Sequence, residues 1–389
     1  MIDTNELTRR ERVDEHVMLA PPPIARKGRG AVSNLQGRYE VNGRERFDDG
    51  WLDDHDEPAA FKTIVTDEFA KSILSRNTSP DIPFSVSLNP YRGCEHGCIY
   101  CFARPSHSYL GLSPGLDFES RLFAKVNAPD LLRRELAKPG YVPDHIAIGV
   151  NTDAYQPCER ERQITRQVLE VLAECRHPTG LITKSSLIER DIDLLAPMAA
   201  SNLACAAVTI TTLDAQISRT LEPRAAAPMR RLRTIRTLTD AGIPVSVSVA
   251  PIIPFVTEPE IERILEAAHD AGAVGAHYTV LRLPHEVNPL FQEWLQAHFP
   301  DRAQRVMNRI RDMRGGKDYD SDFATRMKGD GVWADLIHQR FTKTVKRLGL
   351  DRPGSRFDRL DTSQFRRPMV VPALASKGGA QDAGQMALF

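Results

Sequence analysis

The chain has 389 residues, and its 51 Lys and Arg balance its 51 Asp and Glu, so that the formal net charge is zero. A zero net charge excludes a global electrostatic field that attracts nucleic acid, and any such surface must be a local patch. The hydrophobic content of 41% is that of a globular protein with a large core. The polar N-terminus and the lack of an 18-residue apolar run favour a cytoplasmic protein with no membrane partner.

Residues 1–80 are predicted to form an N-terminal extension. A run of three prolines at 21–23 and an acidic run at 48–58 lie within it. Because the proline run suits neither a helix nor a central strand, we expect a segment that is loosely ordered or wraps around the core. Arg26, Lys27 and Arg29 form a short basic arm that could follow a phosphate backbone, with a solvated linker as the favoured alternative.

From residue 81 onward, short β-rich runs alternate with helical patterns. The expected strands are 84–89, 145–151, 180–184, 205–211, 244–250 and 275–283, and the expected helices between them include 163–176, 228–242 and 258–272. Strands that alternate with helices indicate parallel βα units. Six units predict an α/β fold, a partial (β/α)6 barrel of the TIM type over residues 81–300, with its site at the carboxyl ends of the strands.

Helical patterns at 288–299, 302–314 and 333–349 follow the last strand, and residues 301–350 are predicted to be a helical C-terminal extension. These helices are rich in Arg and Lys, so they are a candidate lining for a DNA groove. Residues 351–389 have few hydrophobic residues and are expected to be a flexible tail.

Three of the six cysteines lie close together in the loop 89–107, directly after the first strand of the barrel. Cys94, Cys98 and Cys101 have the spacing C-x3-C-x2-C. Three thiolates on one loop can hold an iron–sulfur cluster and leave one iron of a four-iron cluster without a protein ligand. A structural zinc site is the alternative, but a second ligand pair at the usual spacing is missing from the sequence.

The loop NPYRGCEHGCIYCFARPSH resembles the cluster loop of the radical S-adenosylmethionine (SAM) superfamily. Its flanking residues resemble the branch related to spore photoproduct lyase, particularly bacterial relatives that carry NPYRGCEHGC, and the similarity runs from about Gly28 to about Leu350. The resemblance implies a [4Fe-4S] cluster on the three cysteines, SAM as cofactor, and an electron donor such as flavodoxin or ferredoxin. It also implies that one electron cleaves SAM to methionine and a 5′-deoxyadenosyl radical, which takes a hydrogen atom from the substrate.

Polar residues at the carboxyl ends of several strands are candidates for cofactor binding. The expected cofactor-binding residues are Tyr100, Thr152, Asp153, Lys184, Ser185 and Glu222. By resemblance, Tyr100 contacts the adenine, and Thr152, Asp153 and Lys184 fall where the lyase relatives contact SAM. A lysine at a strand end suits the SAM carboxylate. A helix cap or a surface polar group is the alternative for each residue alone, but their clustering at one face favours a site.

One position departs from the lyase pattern. The resemblance implies a cysteine that donates a hydrogen atom to the product radical, but the aligned residue here is Val150. Cys158 is the candidate catalytic substitute; the favoured alternative is a small half-buried residue beside a helix start. The repair chemistry therefore does not transfer automatically.

The last five residues, QMALF, resemble the Q-x-x-L-F peptide that binds the bacterial sliding clamp. Gln385 would anchor the peptide by hydrogen bonds, and Leu388 and Phe389 would fill apolar pockets. The alternative is that the two apolar residues dock on their own domain.

The sequence thus predicts a radical SAM enzyme that repairs a damaged base in DNA. The alternatives are a radical SAM enzyme that modifies RNA, peptide or a small molecule, and a non-catalytic iron–sulfur adaptor. The lesion, the hydrogen donor, the reductant and the oligomeric state are not specified by the sequence.

Overall fold

The computed structural model describes residues 26–39, 62–351 and 360–369. The strands of these residues are β1 (Ile64–Glu68), β2 (Leu74–Arg76), β3 (Val86–Leu88), β4 (Tyr91–Arg92), β5 (Arg121–Lys125), β6 (Ile146–Ile148), β7 (Thr179–Thr183), β8 (Ala204–Thr209), β9 (Val245–Ile252) and β10 (Gly275–Val280). The helices are α1 (Leu116–Ser120), α2 (Ala128–Ala137), α3 (Glu159–Arg162), α4 (Ile164–Glu174), α5 (Ile192–Ala200), α6 (Ala215–Leu221), α7 (Pro228–Asp240), α8 (Ile261–Asp270), α9 (Val287–His298), α10 (Pro300–Asp312) and α11 (Val332–Leu348).

A seven-stranded sheet in the order β10-β9-β8-β7-β6-β3-β2 organises the α/β fold. Six of its strands are parallel, and they are the six that the sequence predicts. The seventh, β2, pairs antiparallel with β3 at one edge. The predicted α/β fold is therefore confirmed, with six parallel βα units as in a partial TIM-type barrel.

The alternation of residues along the strands separates the two faces of the sheet. In β9, Val245, Val247 and Val249 pack into the main core beneath the helices, whereas Ser246 and Ser248 lie on the opposite face. The helices α4, α7 and α8 cover the sheet with aliphatic residues spaced three or four apart, as their sequence period predicts. Helix α7 begins at a proline and is followed by Gly242, whose φ of 80° is left-handed.

A second sheet of three strands, in the order β1-β5-β4, is not predicted by the sequence pattern. β1 lies within the predicted N-terminal extension and pairs in parallel with β5. β2 also comes from that segment and joins the main sheet. Two strands therefore lie upstream of residue 81, where the barrel was expected to start.

Part of the predicted flexible tail is packed against the barrel instead. The Phe365 ring lies 5.5 Å from the Tyr141 ring and 5.4 Å from the His177 ring. The Arg366 amide donates to the Cys175 carbonyl oxygen at 2.7 Å. Contacts between aromatic rings and backbone hydrogen bonds thus hold residues 360–369 against the barrel. The polar composition of this segment does not predict these contacts. In the part of the chain that the structure describes, no helix is long and apolar enough to cross a membrane.

Candidate functional site

The cysteine loop lies at the carboxyl end of β3, the position that the sequence predicts. Cys94 and Cys98 are buried and Cys101 is half-buried, and all three are free thiols. The Cys94 amide donates to the Phe118 carbonyl oxygen at 2.9 Å, and the Cys101 amide donates to the Cys98 carbonyl oxygen at 3.2 Å. The backbone therefore holds the three thiols on one compact loop.

The chemistry of these thiols fits an iron–sulfur cluster. Burial, the Glu222 carboxylate and the Cys101 sulfur raise the pKa of Cys98 to about 12, despite the opposing charge of Lys184. Burial, followed by the charges of Asp153 and the other two sulfurs, also raises the pKa of Cys94. A bound metal reverses this effect, because its positive charge deprotonates a coordinating thiol.

A single-ion site is the less suitable alternative. Within the described ranges, no three His, Cys, Asp or Glu side chains converge around one metal ion. Cluster ligands each bind a different iron, so their sulfurs need not converge on a single point. The donor set therefore suits a cluster better than a structural zinc ion.

Arg104 anchors the backbone of the cysteine loop. Its guanidinium is fully buried and donates to four carbonyl oxygens, two of them in the loop: Cys98 at 2.9 Å and Gly97 at 3.1 Å. Its charge is balanced by the Glu119 carboxylate, which is also fully buried. A buried arginine with five fixed donors thus sets the path of the loop backbone.

Residues 29–31 of the N-terminal segment pack against Glu119 and the cysteine loop. The amides of Gly30 and Ala31 donate to the Glu119 carboxylate at 3.0 and 2.8 Å. Gly30 approaches the loop so closely that a Cβ there would lie 1.9 Å from the Gly97 carbonyl oxygen. Arg29 is buried and donates to the Glu119 carbonyl oxygen at 2.7 Å. This part of the predicted basic arm therefore wraps around the core, and Arg29 is not available to a phosphate backbone as the arm hypothesis supposed.

Asp153 links the cysteine loop to the ends of β6 and β7. Its carboxylate lies 3.3 Å from the His96 ring and accepts hydrogen bonds at 2.7 Å from the Thr183 hydroxyl and the Lys184 amide. Burial alone would raise the pKa of Asp153, but His96 and these hydrogen bonds outweigh it and lower the pKa to about 2. Protein donors thus already engage both oxygens, so the carboxylate positions the loop.

Glu222 holds the aromatic residue of the loop in place. The Tyr100 hydroxyl and Arg231 both donate to its carboxylate, and the Thr211 hydroxyl donates at 2.6 Å. Burial would raise the pKa of Glu222, but the charges of Arg231 and Lys184 outweigh it and keep the pKa low. The buried ion pair of Glu222 and Arg231 therefore fixes Tyr100. The sequence predicted Glu222 but not Arg231, which lies farther along the chain on α7.

Lys184 is the one predicted cofactor residue whose charged group has no close carboxylate. Its ammonium lies 5.8 Å from the Tyr100 ring centroid, and it forms no ion pair within 4 Å among the residues that the structure covers. Burial would lower the pKa of Lys184, but the Cys98 sulfur and Glu222 outweigh it and raise the pKa. The side chain therefore places a positive charge beside the cysteine loop.

The remaining predicted residues are held by local hydrogen bonds. The Ser185 hydroxyl accepts from the Leu187 amide at 3.2 Å and caps the following short helix. The Thr152 hydroxyl donates to the Tyr91 carbonyl oxygen at 3.0 Å.

Cys158, the candidate hydrogen donor, is half-buried at the start of α3 and packs against the main core, and burial raises its pKa to about 12. Gln385, Leu388 and Phe389 lie outside the described residues.

The arginines of the C-terminal helices are mostly paired with acidic residues. Arg311, Arg340 and Arg347 lie 2.7, 2.7 and 2.6 Å from Asp318, Glu262 and Glu266, respectively. Carboxylates of the same chain thus neutralise much of the positive charge on these helices, which were predicted to line a DNA groove.

Residues 88–268 match the family model of the radical SAM superfamily. The chain is 34% identical over 226 residues to an uncharacterized protein of Mycobacterium bovis. The aligned stretch covers 58% of this chain and 66% of the M. bovis protein, which is just under two thirds of that protein's length. An uncharacterized protein of Methanocaldococcus jannaschii is 25% identical to this chain, and the aligned stretch covers 57% of this chain and 79% of the M. jannaschii protein.

Among solved structures, spore photoproduct lyase complexed with dinucleoside spore photoproduct is similar in fold. The match has a TM-score of 0.50 and 13% identity, and it covers 75% of this chain and 80% of the lyase chain. At this level of identity, the similarity supports the fold alone.

Proposed function

We propose that this chain, whose residues 88–268 match the radical SAM family model, is a radical SAM enzyme that acts on a damaged base in DNA. The observation that carries the proposal is the three-cysteine loop at the carboxyl end of β3, with the Lys184 ammonium beside it at the end of β7. That arrangement supplies ligands for a cluster and a cation for a carboxylate on the same face.

Cys94, Cys98 and Cys101 would hold the [4Fe-4S] cluster, with one iron left for SAM. When bound, the cluster supplies the single electron that cleaves SAM to methionine and a 5′-deoxyadenosyl radical. The chain holds this loop in place: Arg104 and Glu119 fix its backbone, and Asp153 fixes His96 within it. A buried, preorganised loop limits access of water to reactive species.

Lys184 would bind the SAM carboxylate, because it offers a charge-assisted hydrogen bond and has no acidic partner of its own within 4 Å among the described residues. Tyr100, held by Glu222, would line the adenine side. The predicted roles of Thr152, Asp153 and Ser185 shift from direct contact to positioning, since protein atoms already engage their side chains.

A DNA substrate is supported by the spore photoproduct lyase-like sequence features and by the fold of that lyase, whose solved complex holds a dinucleoside spore photoproduct. RNA, peptide and small-molecule substrates are the second candidates. A non-catalytic adaptor is disfavoured by the positively charged Lys184, since an adaptor needs no carboxylate-binding cation beside its cluster.

Cys158 is the proposed hydrogen donor, because Val150 cannot donate a hydrogen atom from a thiol. Its raised pKa keeps the S–H bond intact at neutral pH, which is the form that a donor requires. A flavodoxin or ferredoxin is the proposed reductant, and the sliding clamp is the proposed partner of Gln385, Leu388 and Phe389.

Anaerobic turnover tests the substrate. Reconstituted protein, dithionite and SAM are incubated with UV-irradiated DNA, with the same DNA not irradiated, or with RNA, and 5′-deoxyadenosine is measured by chromatography. The proposal expects formation to rise only with irradiated DNA. Equal formation with all three would reject a DNA lesion as the substrate and leave SAM cleavage standing.

A further inference from the structure

Two arginines at the carboxyl end of β10 differ from the paired arginines of the C-terminal helices. Arg282 lies two residues after the end of β10, and Arg314 lies two residues after the end of α10. Within the described part of the chain, neither of them lies within 4 Å of a carboxylate, whereas the neighbouring Arg326 is paired with Asp81 at 2.5 Å. No carboxylate contacts these two cations directly, although the charges of Asp81 and Asp320 act on them from farther away. Their direct contacts therefore leave a place for a charged ligand at this strand end.

Arg282 reaches over an aromatic ring with neutral partners only. Its guanidinium carbon lies 5.4 Å from the Phe102 ring centroid. One terminal nitrogen donates to the Tyr319 hydroxyl at 3.4 Å and the other to the Met327 sulfur at 3.6 Å, both long contacts. Its Nε is buried and has no hydrogen-bond partner among the residues described. An unused donor on a charged group is costly unless a ligand accepts it.

Arg314 lies behind Arg282 and is only 3% exposed. Its terminal nitrogens donate to the carbonyl oxygens of Thr325 and Leu281 at 2.8 and 2.9 Å, while its Nε also has no partner in the described residues. Burial and the charge of Arg282 lower the pKa of Arg314. The two guanidiniums therefore repel each other in a partly dry environment, and a bound anion would relieve that repulsion.

Phe102 connects this cationic pair to the cysteine loop. It directly follows Cys101, and 42% of its surface is exposed although it is a large apolar residue. An exposed aromatic ring with an arginine over it is the combination that stacks on a base and holds its phosphate. Its place next to a cluster cysteine would put the bound base beside the chemistry.

We propose that Phe102 and Arg282 bind one nucleotide of a DNA strand, with its base on the Phe102 ring and its phosphate on the Arg282 guanidinium. This inference rests on the proposed function and names the binding site for its substrate. A free anion would use the arginines but not the ring, and an apolar peptide would use the ring but leave the charge unpaired. The nucleotide engages both.

Binding of a fluorescein-labelled single-stranded DNA, measured by anisotropy on the full chain with its cluster, tests the site. Phe102→Ala should weaken binding by about 5- to 150-fold, the range for loss of one stacked base. Phe102→Trp should retain it. Arg282→Gln should reduce the slope of log affinity against log salt by about one, and Arg282→Lys should restore the slope in part.

Matched controls exclude general effects of charge and surface. Arg347→Gln removes the same charge from α11, and Phe69→Ala removes an aromatic ring that is 79% exposed after β1. Both should bind as the parent does, and circular dichroism melting should show that all variants fold.

Each outcome decides the point. Losses in Phe102→Ala and Arg282→Gln but not in the controls support the site. Equal affinity of all variants overturns it, and so does RNA of the same sequence binding more tightly than DNA. If Phe102→Ala and Arg282→Gln bind DNA as the parent does, this inference fails alone. If the parent cleaves SAM but binds no DNA, the DNA substrate of the proposed function fails with it, and if the parent cleaves no SAM, the radical SAM chemistry itself fails.

Discussion

Arg104→Met tests whether a buried ion pair supports the cysteine loop. Methionine keeps most of the side-chain length but removes the charge and all five donors. Glu119 would remain fully buried without its direct ion-pair partner, and the Gly97 and Cys98 carbonyl oxygens would lose their donor. Breaking a buried pair by removing one partner costs about 3–5 kcal/mol.

That range translates into a measurable change in the melting temperature. The entropy of unfolding is about 2.1 cal/mol/K per residue, or about 0.8 kcal/mol/K for the whole chain if it unfolds in one transition. The expected loss is therefore about 4–6 °C in Tm for the protein without its cluster, measured by calorimetry. Iron content after anaerobic reconstitution should also fall, because the loop backbone is no longer anchored.

Two further variants show whether the pair itself is responsible. Arg92→Met breaks an ion pair with Glu68 in the same way, but Arg92 is 45% exposed, so the change should cost no more than about 1 kcal/mol. Adding Glu119→Gln to Arg104→Met should recover part of the loss, because it removes the unpaired charge. The reasoning is refuted if Arg104→Met lowers Tm no more than Arg92→Met does.

Three other predictions concern separate parts of the chain. Lys184→Met should weaken SAM binding by about 1.5–3 kcal/mol with iron content retained, as measured by equilibrium dialysis, and unchanged affinity would place the SAM carboxylate elsewhere. His177 is buried and its pKa is lowered to about 4, so the unfolded chain takes up its proton first. The free energy of unfolding should therefore fall by up to about 3 kcal/mol between pH 6.5 and pH 4, and His177→Gln should lack that part of the slope in urea titrations. A peptide of the last ten residues should bind purified sliding clamp at micromolar affinity by calorimetry, and it should not bind with Leu388→Ala and Phe389→Ala; loss of Tm in the whole protein without clamp binding would mean that the tail belongs to the fold.

Local periodicity explains why the six parallel strands could be predicted. The alternation in Val245–Ile252 and the Pro-to-Gly span of α7 are properties of consecutive residues. β1 and β5 carry weak patterns, with Ile64 exposed, and they pair across more than fifty residues. Such pairing depends on long-range packing that a short window does not contain.

The cysteine loop was predictable because its spacing is itself the chemical requirement. Its supports were not, since Arg104 and Glu119 meet only when the chain folds and no local pattern links them. The position of Asp153 at a strand end was also predictable, but its engagement by His96 was not. Sequence identifies the residue types at the site, and the fold decides which of them have free groups.

Cleavage of SAM without any added substrate tests the central claim most directly. The parent protein, reconstituted anaerobically with iron and sulfide and reduced with dithionite, should release 5′-deoxyadenosine and methionine in equal amounts. Replacement of Cys94, Cys98 or Cys101 by alanine should abolish both the brown chromophore and the release of both products, because each change removes a thiolate from one iron. Full iron content and unchanged cleavage in any of the three variants would contradict the assignment of the cluster to this loop.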